Sequence, residues 1–274
     1  MGKIKKSKKI NWQNFIRQII MILWGIFFFW LYLSGNLSLF IGKRFVNLTL
    51  LAGIILLVLS LAQVEELKQL PHNHAGLESS PLNHHSFLKA KWKNTLTCLL
   101  FIFPIVLYFV VNPGGLDSFA TEKKGINIKI TKPQDEWQKD LLTHYLEDKG
   151  KYQKLNLFQL LIVTQNNPTR ANGMGVVTEG FIYKDKTMKP GQFALVRFYV
   201  FCCAADAQPV GVLVNTENAD SFKENQWVQV KGKVQIPRED KGNGNSFLII
   251  AAEKIMPMAK PNVPYLYGSY LNFN

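Results

Sequence analysis

Three long apolar runs fill the first 111 residues, and short alternating runs fill the end of the chain. The first run, Ile16 to Leu33, carries one charge, Arg17, close to its start. The second, Phe45 to Val64, and the third, Asn94 to Val111, carry none. A helix rises about 1.5 Å per residue, so about 20 apolar residues cross about 30 Å of hydrocarbon. The pattern predicts three membrane-spanning helices, at about 16–33, 45–64 and 94–111. Trp12, Trp24, Trp30 and Tyr32 suit the interfacial ends of the first span. A secretory leader also begins basic, but its apolar core is shorter and is followed by a small-residue cleavage site. Pro104 in the third span is tolerable if a neighbouring helix satisfies the carbonyl it frees.

After Val111 the pattern changes. Residues 112–133 open on Asn112-Pro113-Gly114-Gly115 and read as a linker, with a short strand possible at Ile126–Thr131. Trp137, Leu141, Leu142, Tyr145 and Leu146 recur at three- and four-residue steps, which predicts an accessory helix over 133–149. Leu155 to Thr164 is apolar without a deciding period. Five strand-like segments follow: Val176–Tyr183, Phe193–Cys203, Pro209–Asn215, Trp227–Val234 and Phe247–Met256. Turn-forming stretches separate them, such as Lys189-Pro190-Gly191-Gln192 and Pro237 to Asn245. Five short strands with turn signals fit a small antiparallel barrel of the oligonucleotide/oligosaccharide-binding (OB) type. Gly232, inside Val228–Val234, predicts a bulge or barrel bend. Phe193 to Cys203 is apolar on both faces except at Arg197, so it should be a central strand packed on both sides. The expected fold is α+β: a three-helix transmembrane region at 1–111, then an OB-like five-stranded β-barrel with its accessory helix at 134–274.

Charge orients this layout. The net charge is +13. Residues 1–111 hold 12 Lys/Arg against 3 Asp/Glu, and residues 112–274 hold 20 against 16. The basic excess thus belongs to the apolar half, which does not favour a nucleic-acid partner. Lys3, Lys5, Lys6, Lys8 and Lys9 precede the first span, and Lys68, Lys89, Lys91 and Lys93 flank the second loop. The loop between them has only Lys43 and Arg44. The positive-inside rule places the N-terminus and second loop in the cytoplasm. Three spans in a cell membrane then put the C-terminal domain on the extracytoplasmic side.

Two clusters offer metal chemistry. His72, His74, His84 and His85 lie in the predicted loop 65–93, and four imidazoles can close a tetrahedral zinc shell. Their spacing matches no closed zinc motif, and a solvated loop with chance histidines is the competing reading. Cys202, Cys203 and Asp206 stand where the central strand ends, in Cys202-Cys203-Ala204-Ala205-Asp206-Ala207. On a regular strand neighbouring side chains point to opposite faces, so chelation by both thiols requires the strand to end and turn there. Three readings stay open: a site for zinc or another transition metal, a vicinal disulfide in an oxidising compartment, and small buried hydrophobes beside a turn-capping acid. Arg197 either pairs with Asp206 or another acid inside the barrel, or grips an anionic ligand bidentately.

Gly180-Phe181-Ile182-Tyr183, the Cys202-to-Ala207 motif with Pro209-Val210-Gly211, Trp227-Val228-Gln229-Val230-Lys231-Gly232 and Pro264-Tyr265-Leu266-Tyr267 resemble the YcgQ-like family of small bacterial membrane proteins. The resemblance covers the whole layout. It implies an accessory, second subunit working beside a YcgR-like permease, in the movement of a metal or another small solute. The spans hold no Asp, Glu or Lys, which agrees with a partner supplying the solute path. Two alternatives remain: a membrane-tethered OB domain binding nucleic acid or another polymer, and a thiol redox protein using the vicinal cysteines. The chain lacks Cys-x-x-Cys and any Ser/His/Asp constellation, so catalysis is not expected.

Overall fold

The computed structural model describes residues 12–68, 84–111, 114–127, 152–236 and 248–267. The chain divides into two compact units, Met1–Leu37 with Arg44–Gly114, and Ser38–Lys43 with Gly115–Asn274.

In the first unit the apolar runs form α1 (Trp12–Leu33), α2 (Lys43–Lys68) and α3 (His84–Val111). Each helix is longer than its apolar run. Glu65, Glu66 and Lys68 at one end, and Lys89, Lys91 and Lys93 at another, are good helix formers, so helix continues where apolarity stops. The predicted loop 65–93 is therefore shorter than the sequence reading had it. Among the described residues, two segments are long and apolar enough to cross a membrane, Phe15–Leu33 and Lys43–Ala62; α3 contributes a shorter apolar segment, Leu96–Val111. Small residues bring α1 and α2 together. A Cβ on Gly25 would lie 3.2 Å from the Gly53 carbonyl oxygen. Aromatic rings join α1 to α3: Phe27 meets Tyr108 edge-on at 5.4 Å, and Trp30 lies 5.4 Å from Phe109. The Trp24 indole N–H donates to the Phe101 carbonyl at 3.0 Å.

The second unit is the barrel. Its strands are β1 (Gln153–Lys154), β2 (Gly175–Tyr183), β3 (Gln192–Val200), β4 (Gln208–Asn215), β5 (Trp227–Gln235), β6 (Ile249–Pro257) and β7 (Leu266–Tyr267). Hydrogen bonding runs β2–β5–β6–β4–β3 and closes from β3 back to β2. The β4–β6 pair is parallel; every other pair in the ring is antiparallel. Closure with one parallel pair is the OB-like arrangement. The two short strands add at the margins, β1 parallel to β2 and β7 parallel to β3.

The undecided run becomes a helix, α5 (Leu157–Asn166), with Leu157, Leu160, Leu161 and Val163 buried in the barrel core. Asn156 and Gln159 make a reciprocal capping box that satisfies two of the N–H groups at its start. β3 is buried on both faces. Phe193 and Leu195 face the core under α5, while Val196, Phe198 and Val200 pack with Phe181, Trp227 and Tyr265. Gly232 sits at a register shift between β5 and β6, where an added Cβ would lie 2.2 Å from the Ala251 carbonyl oxygen.

Two expectations change. The stretch read as a linker contains α4 (Ser118–Lys124), started by the Asp117 side chain and stopped at Gly125, whose φ is 72°. It packs into the second unit: Asn225 accepts from the Ser118 N–H, and Tyr265 Oη accepts from Leu116. The central strand also ends earlier than predicted, at Val200, for a reason built into the next six residues. The accessory helix expected over 133–149 lies outside the described residues.

Candidate metal centre

β3 stops because Asp206 pulls the chain off the sheet. Its Oδ1 accepts the Phe201 N–H at 3.0 Å, and its Oδ2 accepts those of Cys202 at 2.7 Å and Cys203 at 3.2 Å. Those N–H groups would otherwise continue the ladder. Ala204–Asp206 then makes a short 3-10 turn, for which small Ala204 and Ala205 leave room, and β4 begins at Gln208.

Two outside elements fix the turn. The segment after α1 runs beside it, with Ile41 bridged antiparallel to Cys203. The Ala204 N–H donates to the Phe40 carbonyl at 2.8 Å, and the Gly42 N–H donates to the Cys202 carbonyl at 2.9 Å. A Cβ on Gly42 would sit 3.0 Å from the Phe201 carbonyl oxygen, so only glycine approaches this closely without displacement. On the other side Lys124 donates to the carbonyls of Ala207 at 2.6 Å and Ala205 at 3.0 Å.

With the strand broken, the two thiols no longer diverge. Their sulfurs lie 3.6 Å apart, both cysteines are free, and both are half-buried. A carboxylate oxygen of Asp206 completes a group of three donors all within 4.8 Å of one another. The thiols are electrostatically unequal. Cys202 is pushed up to about 12, first by its hydrogen bond to the Asp206 carboxylate and next by its contact with Cys203. Cys203 is held below the ordinary thiol value, first by the Ala205 N–H, then by Cys202 and the Asp206 N–H. Burial pushes Asp206 upward, but donation from Cys202 and from the N–H groups of Phe201, Cys202 and Cys203 outweighs it, and the carboxyl ends below its usual range. The turn thus holds one thiolate-prone sulfur, Cys203, beside a protonated one.

The donor set fits a soft or borderline cation through sulfur. Asp206 fits less well as a ligand, because its oxygens already accept three backbone N–H groups. Its first work is to build the turn.

The other candidates lie elsewhere. His84 and His85 open α3 and are neighbours on a helix, while His72 and His74 lie outside the described residues. Arg197 pairs with Glu179 at 3.0 Å, not with Asp206. It also donates to the carbonyls of Val263 at 3.0 Å and Pro264 at 3.2 Å, and its guanidinium carbon sits 5.5 Å from the centre of the Trp227 ring. Burial pulls its pKa down and Glu179 opposes that. Asp206 is spent on the backbone, so Arg197 finds its acid on the neighbouring strand. Sequence reasoning gave no role to Phe40–Gly42 or Lys124, since nothing local marks a contact so distant in sequence.

The model of the DUF1980 N-terminal domain matches residues 16–127, and that of the DUF1980 C-terminal domain matches residues 131–268. The chain belongs to the DUF1980 family. It is similar to the "UPF0703 protein YcgQ" of Bacillus subtilis, 22% identical over 284 residues, covering 93% of this chain and 99% of that one. A Streptococcus mutans protein named "Putative two-component membrane permease complex subunit" is 22% identical over 278 residues, covering 90% and 97%. The resemblance to the YcgQ-like family drawn from the cysteine motif is thereby shown. Both DUF1980 domains are present in order, one on the apolar helices and one on the barrel with its cysteine turn.

Proposed function

We propose that this DUF1980 protein is an accessory membrane subunit of a two-component permease, whose barrel receives a soft or borderline metal ion at Cys202 and Cys203. The permease part rests on the Streptococcus relative, whose name describes such a subunit, and on helices apolar enough to span. A YcgR-like permease is the partner proposed. The metal part rests on one observation, the convergence of two sulfurs and a carboxylate within 4.8 Å on a turn that a regular strand would not allow.

Each residue has a distinct part. Cys203 is the more acidic of the two thiols and the readier sulfur ligand. Cys202 yields its proton on binding, as thiol ligands do. Asp206 and Lys124 hold the turn, and the Phe40–Gly42 segment lies along it. Structural zinc takes four ligands, whereas this turn offers two sulfurs and at most one carboxylate oxygen. A partly filled shell suits transfer to a partner better than permanent retention. The proposed role is binding and delivery rather than catalysis.

Sidedness supports the three-span layout. Ser38–Lys43 and the barrel belong to one unit, so they share one side of a membrane. Two crossings, by α2 and α3, return the chain to that side, and the lysine-rich N-terminus then faces the cytoplasm.

The experiment uses the full chain, because cutting at residue 112 would remove the segment bridged to Cys203. Protein purified in detergent without chelator or reductant is analysed for bound metal and free thiols together. The reading predicts about one zinc or copper ion per chain, lost in Cys202→Ala and in Cys203→Ala. No metal with both thiols freely titrating would sink it. A second reading draws on the 3.6 Å sulfur separation: no metal, with thiols titrating only after reduction, would identify a vicinal disulfide and a redox role.

A further inference from the structure

β2 and β3 pair only over Phe181–Tyr183 and Ala194–Val196. Below that point they part. β1 covers β2 at Val176 and Val177, and β7 covers β3 at Tyr199 and Val200. Thr178 and Glu179 on one strand and Arg197 on the other line a gap that no strand fills. A cavity of about 440 Å³ occupies that gap, and none of Cys202, Cys203 and Asp206 lines it.

Its lining mixes apolar and polar groups and is positive in balance. Lys43, Lys154 and Arg197 contribute three cations against one carboxylate, Glu179. Arg197 spends three donors on Glu179, Val263 and Pro264, which fixes its plane at the wall. Thr178 lines the same space. It is 2% exposed, and among the described residues its Oγ1 is a buried side-chain oxygen without a hydrogen-bond partner. Such an orphan costs stability unless something satisfies it. Val177 and Leu155 add apolar wall, and the volume is in the range that holds small organic molecules.

From the orphaned hydroxyl, the excess of cations and the volume of this half-open cavity, we infer that it is a binding site for an organic anion with a phosphate or carboxylate head. The head sits against Lys43, Lys154 and the outer edge of Arg197, and accepts the Thr178 hydroxyl. The organic body lies on the apolar wall. This inference is independent of metal binding at the cysteines.

Two sources share that chemistry, a dissolved metabolite and an anionic lipid headgroup. The test titrates inorganic phosphate, then citrate, into the full chain in phosphatidylcholine vesicles and in vesicles containing phosphatidylglycerol, at constant ionic strength, and reads thermal stability. A saturable rise in Tm is expected in phosphatidylcholine. Thr178→Val should raise the Tm of the anion-free protein, because it removes an unsatisfied hydroxyl, and should weaken the anion response about tenfold, the worth of one good hydrogen bond. Lys154→Gln should weaken the response without that gain. An undiminished response in phosphatidylglycerol identifies a soluble anion, and a response abolished there identifies a headgroup already in place. General salting-out by phosphate would rise without saturation and equally in all variants. That result, or no response at all in phosphatidylcholine, overturns the inference.

Discussion

Asp206 shows how one side chain can end a strand and create a site. Its three backbone hydrogen bonds make Asp206→Asn a sharp probe, since the amide keeps one acceptor oxygen and loses the charge. Alkylation by iodoacetamide as pH rises should modify Cys203 first and Cys202 only under strongly alkaline conditions, with peptide mass spectrometry giving the order. Asp206→Asn should bring Cys202 into reaction at lower pH; equal reactivity of the two thiols in the wild type would contradict the assignment. Because Asp206 is held below its unfolded value, its contribution is present above about pH 4 and is lost as pH falls through the lower folded value. Arg197 makes a second test. Glu179→Gln leaves a buried guanidinium short of its charged partner, and a loss of about 2 kcal/mol is expected by denaturant unfolding. The types of these residues were legible in the sequence, and so was the need for the strand to turn at Cys202. Their partners were not. Asp206 read as a ligand or cap, and Glu179 read as an ordinary strand residue, because pairing across strands is set by register rather than by local pattern.

At the scale of elements, period and punctuation carried most of the barrel. All five predicted strands are present with ends shifted by a few residues, because turn-forming residues bracket each one. The run at Leu155–Thr164 was undecided on period alone, yet Asn156 with Gln159 three positions later is a helix-start signal that resolves it. The apolar helices were legible in the sequence but their ends were not, since α2 and α3 continue into charged residues that favour helix. Gly232 shows what a glycine at a bulge protects. Gly232→Ala forces a methyl against the Ala251 backbone, and a destabilisation of about 1–3 kcal/mol is expected from overpacking, read by the denaturant midpoint. A neutral Gly232→Ala would show that β5 and β6 can shift register freely.

For the whole molecule, the decisive feature is that Ser38–Lys43 belongs with the barrel. No composition argument could reveal it, because the bridge joins Ile41 to Cys203 across the length of the chain. It carries a topological prediction. In a chain whose own cysteines are replaced, Ser34→Cys and Asp220→Cys should be labelled by a membrane-impermeant maleimide from the same, outer side of intact cells, and Lys68→Cys only after permeabilisation. Labelling of Ser34→Cys and Asp220→Cys from opposite sides would contradict three crossings.

The central claim is that the broken strand end holds a metal through both sulfurs. X-ray absorption at the metal edge of the full chain loaded with one equivalent of zinc tests it most directly. The account predicts two sulfur neighbours at about 2.3 Å, falling to one in Cys202→Ala and in Cys203→Ala. A shell of nitrogen and oxygen alone, unchanged when both cysteines are replaced, would contradict it.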